Sequence, residues 1–342
     1  MLPIPLIIRL LCSNFTGMIV VTGAAGFIGS QLIKKLNDEN FNYIVAVDKF
    51  DSPLKNKNLK GLNILHKVDR DHFISWLDEN FEEVEFVFHI GAKTDTALFD
   101  TELLERLNTN YTKDTWKRCV KYQLPLVYAS SAATYGLGEH GYDDQEGTIP
   151  KLSPLNPYGQ SKQDFDVWAL KQDEKPFYWA GLKFFNVYGP NEYHKGRMAS
   201  VAWHTYNQVK NTGGMKLFRS HHPDFKDGEQ MRDFVYVKDV VEVCYWLMHH
   251  RKNPGIYNLG SGTARTFLDL VRAVFKAMER EENISFIDTP ADIRDKYQYF
   301  TQANMAKLRG IGYSKDFYTL EEGVREYVQE YLLDLESVQR SN

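Results

Sequence analysis

The sequence predicts an α/β fold, a doubly wound parallel sheet with a smaller, interleaved C-terminal lobe. Short β-branched apolar runs alternate with longer amphipathic ones from Met18 to Asn186, the rhythm of parallel strands joined by crossover helices. A glycine-spaced turn, Gly23 to Gly29, closes the first run and opens the first amphipathic stretch. After Asn186 the alternation gives way to loops rich in Gly, His and charge. The chain has 342 residues, 43% apolar and 25% charged, ample to bury a core and a second lobe.

Taken in order, residues 1–17 begin apolar, but the uncharged run ends at Arg9, too short to span a bilayer. They lack the basic start of an export signal and read as an extension, or as sequence upstream of a true start at Met18. Strands are expected over Ile19 to Thr22, Tyr43 to Asp48, Ile64 to Val68, Phe86 to Gly91, Leu126 to Ser130 and Gly181 to Asn186. Helices are expected over Ile28 to Asn37, Leu103 to Tyr122 and, at the C-terminus, Leu320 to Leu333. Two later runs, Phe234 to Val237 and Ile256 to Gly260, read as returns to the main sheet.

Charge and cysteine usage exclude several function classes. With 41 basic and 45 acidic residues the net charge is −4, which offers no field for nucleic acid or an anionic membrane. Cys12, Cys119 and Cys244 have no Cys-x-x-Cys spacing. They read as free thiols of a reducing cytoplasm rather than a disulfide framework or a zinc site. His221-His222 and His249-His250 have neither ligand spacing nor a third partner, so no metal is expected.

The glycine turn carries the first chemistry. In Thr22-Gly-Ala-Ala-Gly-Phe-Ile-Gly29, Gly23 permits the tight turn, Gly26 lets backbone approach a pyrophosphate, and Gly29 allows close helix-strand packing. The following helix start offers N–H groups and a positive dipole to phosphate. With Asp48 ending the next strand, this is a Rossmann-type dinucleotide-binding unit. It is expected over residues 18–190 with returns near 233–262, and the substrate lobe over 191–232 and 263–335. Asp48 suits the ribose hydroxyls of NAD, whereas Lys49, Lys55 and Lys57 suit the 2′-phosphate of NADP. Both cofactors fit the residues.

Tyr158-Gly-Gln-Ser-Lys162 follows Pro157, and a spacing of four places both side chains on one helix face. A free phenol titrates near pH ~10; an adjacent ammonium and a nicotinamide cation both favour the phenolate and make it usable in proton transfer. Ser130-Ser131 ends the fifth strand, where ligands of such sheets bind. There a hydroxyl can hold a substrate alcohol.

In this order and spacing the motifs resemble the extended short-chain dehydrogenase/reductase superfamily. The resemblance implies a triad of Ser131, Tyr158 and Lys162 and a nucleotide-sugar substrate. It also implies a structural asparagine at Asn110, for which a helix cap is the alternative. Phe184-Phe-Asn-Val-Tyr-Gly-Pro190, Glu192-Tyr-His-Lys-Gly-Arg-Met198, Arg232-Asp-Phe-Val-Tyr-Val237 and Lys296-Tyr-Gln-Tyr-Phe-Thr-Gln-Ala303 are similar to one branch, the ADP-L-glycero-D-manno-heptose 6-epimerase family. The likeness runs from Met18 to about Tyr331. Related dehydratases carry Asp-Glu where this chain has Ala132-Ala133, which speaks against elimination of water.

The resemblance implies epimerisation of ADP-heptose at C6 by oxidation to a ketone and re-reduction with bound NADP, for lipopolysaccharide heptose supply. Tyr158 and Lys195 would be the two acid/bases. Gly23, Gly26, Phe27, Ile28, Gly29, Asp48, Lys49, Lys55, Arg70, Ile90, Gly91, Ala92, Lys93, Thr94, Asn110, Lys162, Val187 and Lys195 would line the cofactor. Asn186, Arg197, His204, Phe218, Arg219, Ser220, His221, Arg232 and Tyr297 would line the sugar nucleotide, with Arg232 suited to a diphosphate. A cytoplasmic homo-oligomer, a homopentamer, is the implied assembly. Two departures fall on the cofactor side. The family's Asp-Asn reads Asp48-Lys49, and its Gly-Ala-Cys-Ser-Ser reads Gly91-Ala-Lys-Thr-Asp95.

Overall fold

The computed structural model describes residues 17–96, 99–290, 294 and 297–333; the expectation for residues 1–16 lies outside them. Its strands are β1 (Met18–Thr22), β2 (Ile44–Asp48), β3 (His66–Asp69), β4 (Val84–His89), β5 (Leu126–Ser131), β6 (Trp179–Phe184), β7 (Asn186–Tyr188), β8 (Met215–Phe218), β9 (Met231–Tyr236), β10 (Gly255–Leu259), β11 (Ala264–Thr266) and β12 (Ile284–Ile287). The main helices are α1 (Phe27–Asp38), α2 (Phe73–Asn80), α3 (Tyr111–Lys121), α4 (Pro157–Leu170), α5 (Val201–Thr212), α6 (Val237–His249), α7 (Phe267–Ala277) and α8 (Leu320–Glu326).

Seven parallel strands form the main sheet in the order β10-β6-β5-β4-β1-β2-β3. This is the expected Rossmann-type sheet. From β1 the chain winds outward one way through β2 and β3, then the other way through β4, β5 and β6. The reversal leaves a crevice at the carboxyl ends of β1 and β4, where such folds bind ligands. β1 is buried throughout, and its alternation feeds two cores. Ile19 and Val21 pack on one face, Met18 and Val20 on the other. Each such side chain contributes roughly 1.5–3 kcal/mol when fully buried.

Ile256 to Gly260 returns to the main sheet as expected, with β10 against β6. Phe234 to Val237 does not. Its strand, β9, pairs antiparallel with β11 and parallel with β7 in a separate three-stranded sheet. Both backbone edges of β9 are thereby used outside the main sheet. A two-stranded sheet of β8 and β12 stands apart. The expected helix over Leu103 to Tyr122 is interrupted by a wide π-helical segment, Glu105–Asn110, ahead of α3.

Candidate active site

At the crevice, glycine is a steric requirement. Gly23 has φ 66°, and a Cβ there would lie 2.6 Å from the Gly91 Cα. On Gly29 a Cβ would sit 2.2 Å from the Gly23 carbonyl oxygen. Gly26 precedes α1 and no side chain caps the helix; uncapped N–H groups and the helix dipole there favour an anion. These residues fit the phosphates of a dinucleotide. We expect Gly29→Ala to be purified without its dinucleotide and about 1–3 kcal/mol less stable, because the loop must shift to admit the methyl. Full cofactor content with an unchanged melting temperature would contradict this.

Behind the loop, buried His89 lies 2.9 Å from Thr22 Oγ1 through Nδ1 and 3.0 Å from Thr112 Oγ1 through Nε2. Thr22 Oγ1 also accepts the Gly91 N–H at 3.0 Å. Burial, with the Lys162 charge adding to it, pulls His89 down to about 3. It is a neutral strut between β1, β4 and α3. Asp48 closes the other side. Its buried carboxylate accepts from the Ala25 N–H at 3.0 Å and from Lys55 Nζ at 2.6 Å. Lys49 and Arg70 share Asp71, at 2.6 Å and 3.1 Å. Lys49, Lys55 and Arg70 therefore gather near the ends of β2 and β3.

The asparagine that turns inward is Asn108; Asn110, the expected position, is exposed and makes no side-chain cap. Asn108 is buried; it accepts the Lys93 N–H at 2.8 Å and donates to the Lys93 carbonyl and to Ser161 Oγ, both at 3.0 Å. In the wide turns of this segment Asn108 faces inward and Asn110 faces solvent. Asn108 thus ties the loop after β4 to α4, the helix that carries Tyr158.

α4 starts on Asn156, which accepts the Gly159 N–H at 2.8 Å, with Pro157 in the first turn. This start places Tyr158 against the end of β5, where its phenol and Ser131 are hydrogen-bonded. Burial pushes the phenol above its ordinary value, and the Ser131 hydrogen bond draws it partly back. That role was expected of Lys162. Instead Lys162 Nζ donates to the Ala129 carbonyl at 2.7 Å, and burial pulls its ammonium down to about 8 against the opposing charge of Asp166.

Lys195 arrives from another direction, on the tight turn Tyr193–Met198. Its Nζ lies 5.3 Å from the centre of the Phe27 ring, at the head of α1. Burial lowers it from the usual lysine value, with Glu192 opposing. Glu192 is buried and accepts from Gly189 N–H at 3.2 Å, Ser200 Oγ at 2.7 Å and Ser200 N–H. Asn58 adds a second anchor. Its amide donates to the Ala25 carbonyl at 3.0 Å and the Asn191 carbonyl at 3.1 Å, and lies 3.3 Å from His194 Nδ1. Asn191 in turn donates to Ser30 Oγ on α1 at 3.0 Å. Neither Asn58 nor Glu192 was singled out from sequence.

The expected sugar-nucleotide residues divide. Arg232 is buried between Phe267 and Tyr297, with its guanidinium carbon 5.5 Å and 5.4 Å from the ring centres, and Phe218 meets Tyr297 edge-on at 6.5 Å. Arg197 pairs with Asp95 of the segment after β4 at 3.1 Å, and its carbonyl lies 3.4 Å from His204 Nε2. Arg219 pairs with Asp227 at 3.3 Å, Ser220 donates to the His222 carbonyl, and the His221 N–H donates to Tyr299. Asn186 is exposed and Val187 half-buried on β7. Among the described residues no His, Cys, Asp and Glu cluster could hold a metal, and no helix is long and apolar enough to cross a membrane.

The profile of the NAD dependent epimerase/dehydratase family matches residues 19–260. The chain belongs to that family. Members similar to it include the ADP-L-glycero-D-manno-heptose-6-epimerase of Fusobacterium nucleatum, 48% identical over 92% of this chain and 98% of the relative. The enzyme of that name from Nitratidesulfovibrio vulgaris is 47% identical over the same shares. Among solved family structures, the Helicobacter pylori ADP-L-glycero-D-manno-heptose-6-epimerase has a TM-score of 0.77 at 27% identity, covering 93% of this chain and 98% of that one. The Thermus thermophilus UDP-glucose 4-epimerase in complex with NAD has a TM-score of 0.73 at 25% identity, covering 92% and 99%. Family membership supports a nicotinamide cofactor for this chain.

Proposed function

We propose that this chain converts ADP-D-glycero-D-manno-heptose to the L-glycero epimer at C6, supplying heptose for lipopolysaccharide in the cytoplasm. The observation that carries the reading is two separately mounted proton-bearing groups. Tyr158 is hydrogen-bonded to Ser131 on the main sheet, and Lys195 is held at the head of α1 by a different loop. The relatives at 47% and 48% identity bear the name of this activity.

A nicotinamide bound in the crevice supplies reversible hydride transfer at C6, taking the alcohol to a ketone and back. The chain's own groups do the rest. Tyr158 takes the C6 hydroxyl proton on one side and Ser131 holds the oxygen, while Lys195 meets the oxygen once the side chain has turned to present its other face. Lysine normally titrates near pH ~10.4, and the burial of Lys195 moves it toward the range in which a proton can be shared. Lys162 holds its positive charge one helical turn from Tyr158, and burial lowers it to about 8. Arg232, between two aromatic faces, suits the diphosphate.

NADP is the proposed dinucleotide. Lys55 neutralises the Asp48 carboxylate that would repel a 2′-phosphate, and Lys49 and Arg70 stand beside it. Incubating the purified protein with ADP-D-glycero-D-manno-heptose and reading C6 configuration by NMR tests the reaction, and an unchanged heptose would overturn it. Extracting the resident cofactor tests the second point. Recovery of NAD alone would reverse the preference and leave the isomerisation standing.

A further inference from the structure

A charged pair that the reaction scheme does not use is anchored on the helix that carries Tyr158 and Lys162. Asp166 sits on α4 one turn beyond Lys162 and two beyond Tyr158, on the same face. Its Oδ2 is 2.7 Å from Lys183 Nζ on β6, and both side chains are 0% exposed. The pair is fully satisfied. Oδ2 also accepts from Ser130 Oγ at 2.6 Å and Oδ1 from the Tyr128 hydroxyl at 3.0 Å. Lys183 Nζ donates in addition to Thr134 Oγ1 at 2.8 Å and lies 5.3 Å from the centre of the Tyr135 ring.

Burying two charges is a poor way to add stability, since well-packed apolar side chains in their place often do as well or better. What the pair provides is attachment. It joins α4, the last residues of β5, the turn after β5 and β6. Ser130, one of its partners, immediately precedes Ser131, which is bonded to Tyr158. We infer that Asp166, held by Lys183 and Ser130, is a positioning residue that fixes the spacing of Ser131, Tyr158 and Lys162 and sets the negative charge near them. The inference rests on the assignment of Tyr158 and Lys162 made above.

The charges around Lys162 support it. Asp166 faces it from its own helix and favours its ammonium, while His89 on β4 is neutral. Lys183 on β6 and the Tyr128 hydroxyl on β5 meet Asp166 itself. Removing the Asp166 charge therefore disfavours the Lys162 ammonium, and the alkaline fall in turnover should begin at lower pH.

The test uses the holoenzyme with ADP-D-glycero-D-manno-heptose and follows kcat, KM and cofactor content across pH. In Asp166→Asn and in the apolar double variant Asp166→Leu with Lys183→Met, kcat should fall about tenfold or more at near-constant KM. In both, the alkaline limb should move down, and in Lys183→Arg, which keeps the pair, it should stay in place. Should the charge-removing variants not fold, Ser130→Ala, which deletes one hydroxyl, should still lower kcat several-fold with cofactor content unchanged. Wild-type turnover with an unmoved alkaline limb in the folded variants, or wild-type kcat in Ser130→Ala, would reduce the pair to packing. Wild-type turnover in Tyr158→Phe would instead remove the site assignment beneath it, a distinct failure.

Discussion

Tyr158→Phe should lose roughly a hundredfold to ten-thousandfold in epimerase turnover, the range for a missing general acid/base, while the purified variant keeps its dinucleotide. The substitution retains the ring against the start of α4 and removes the hydroxyl bonded to Ser131. Losing one neutral hydrogen bond costs only about 0.5–1.5 kcal/mol, so the protein should remain folded. The glycine turn and the Asp48–Lys55 pair lie on other segments, and cofactor retention should follow them. Turnover measured at saturating substrate, with cofactor absorbance as the control, checks both halves. Near wild-type turnover would refute the assignment.

Lys195→Met should also act on turnover. Methionine keeps most of the apolar stem that packs near Phe27 while deleting the charge and the proton. If Lys195 only gripped phosphate, KM would rise and kcat would hold. As the second acid/base, its loss should lower kcat by roughly a hundredfold or more. The double variant with Tyr158→Phe should then be little worse than the poorer single one, because either loss already breaks a cycle that needs both groups. Turnover of Lys195→Met within a few-fold of wild type would end the two-base scheme and return the lysine to a binding role.

What could be read in advance was what chain geometry decides locally. Gly23, Gly26 and Gly29 answer to one tight turn, and Tyr158 with Lys162 to one helical period, so both are legible in a single stretch. The resemblance pointed to Asn110, and the burial of Asn108 was not legible because regular helical spacing does not anticipate the wide turns of Glu105–Asn110. β9 was assigned to the main sheet because its apolar run does not reveal its neighbours. Pairing with β7 and β11 depends on segments distant in sequence. Asp166 does fall on the helical period of Tyr158, but its partner Lys183 lies across the sheet, and only the fold joins them. Lys162 was expected to act on the phenol directly, yet its amine turns to the Ala129 carbonyl, a rotamer choice that spacing does not determine.

The two moorings of the Lys195 turn have a consequence for how such an enzyme can diversify. Asn58 and Asn191 fasten that turn to the glycine loop and α1, and Glu192 fastens it to the start of α5. Phe218, Arg232 and Tyr297 stand on β8, β9 and the segment after β12, outside those attachments. Those three positions, proposed for the sugar nucleotide, can therefore be exchanged without unseating the lysine, whereas Arg197 shares its turn and a change at Asn58 disturbs that turn. A change of substrate carried by those three positions is thereby separable from a change in the reaction.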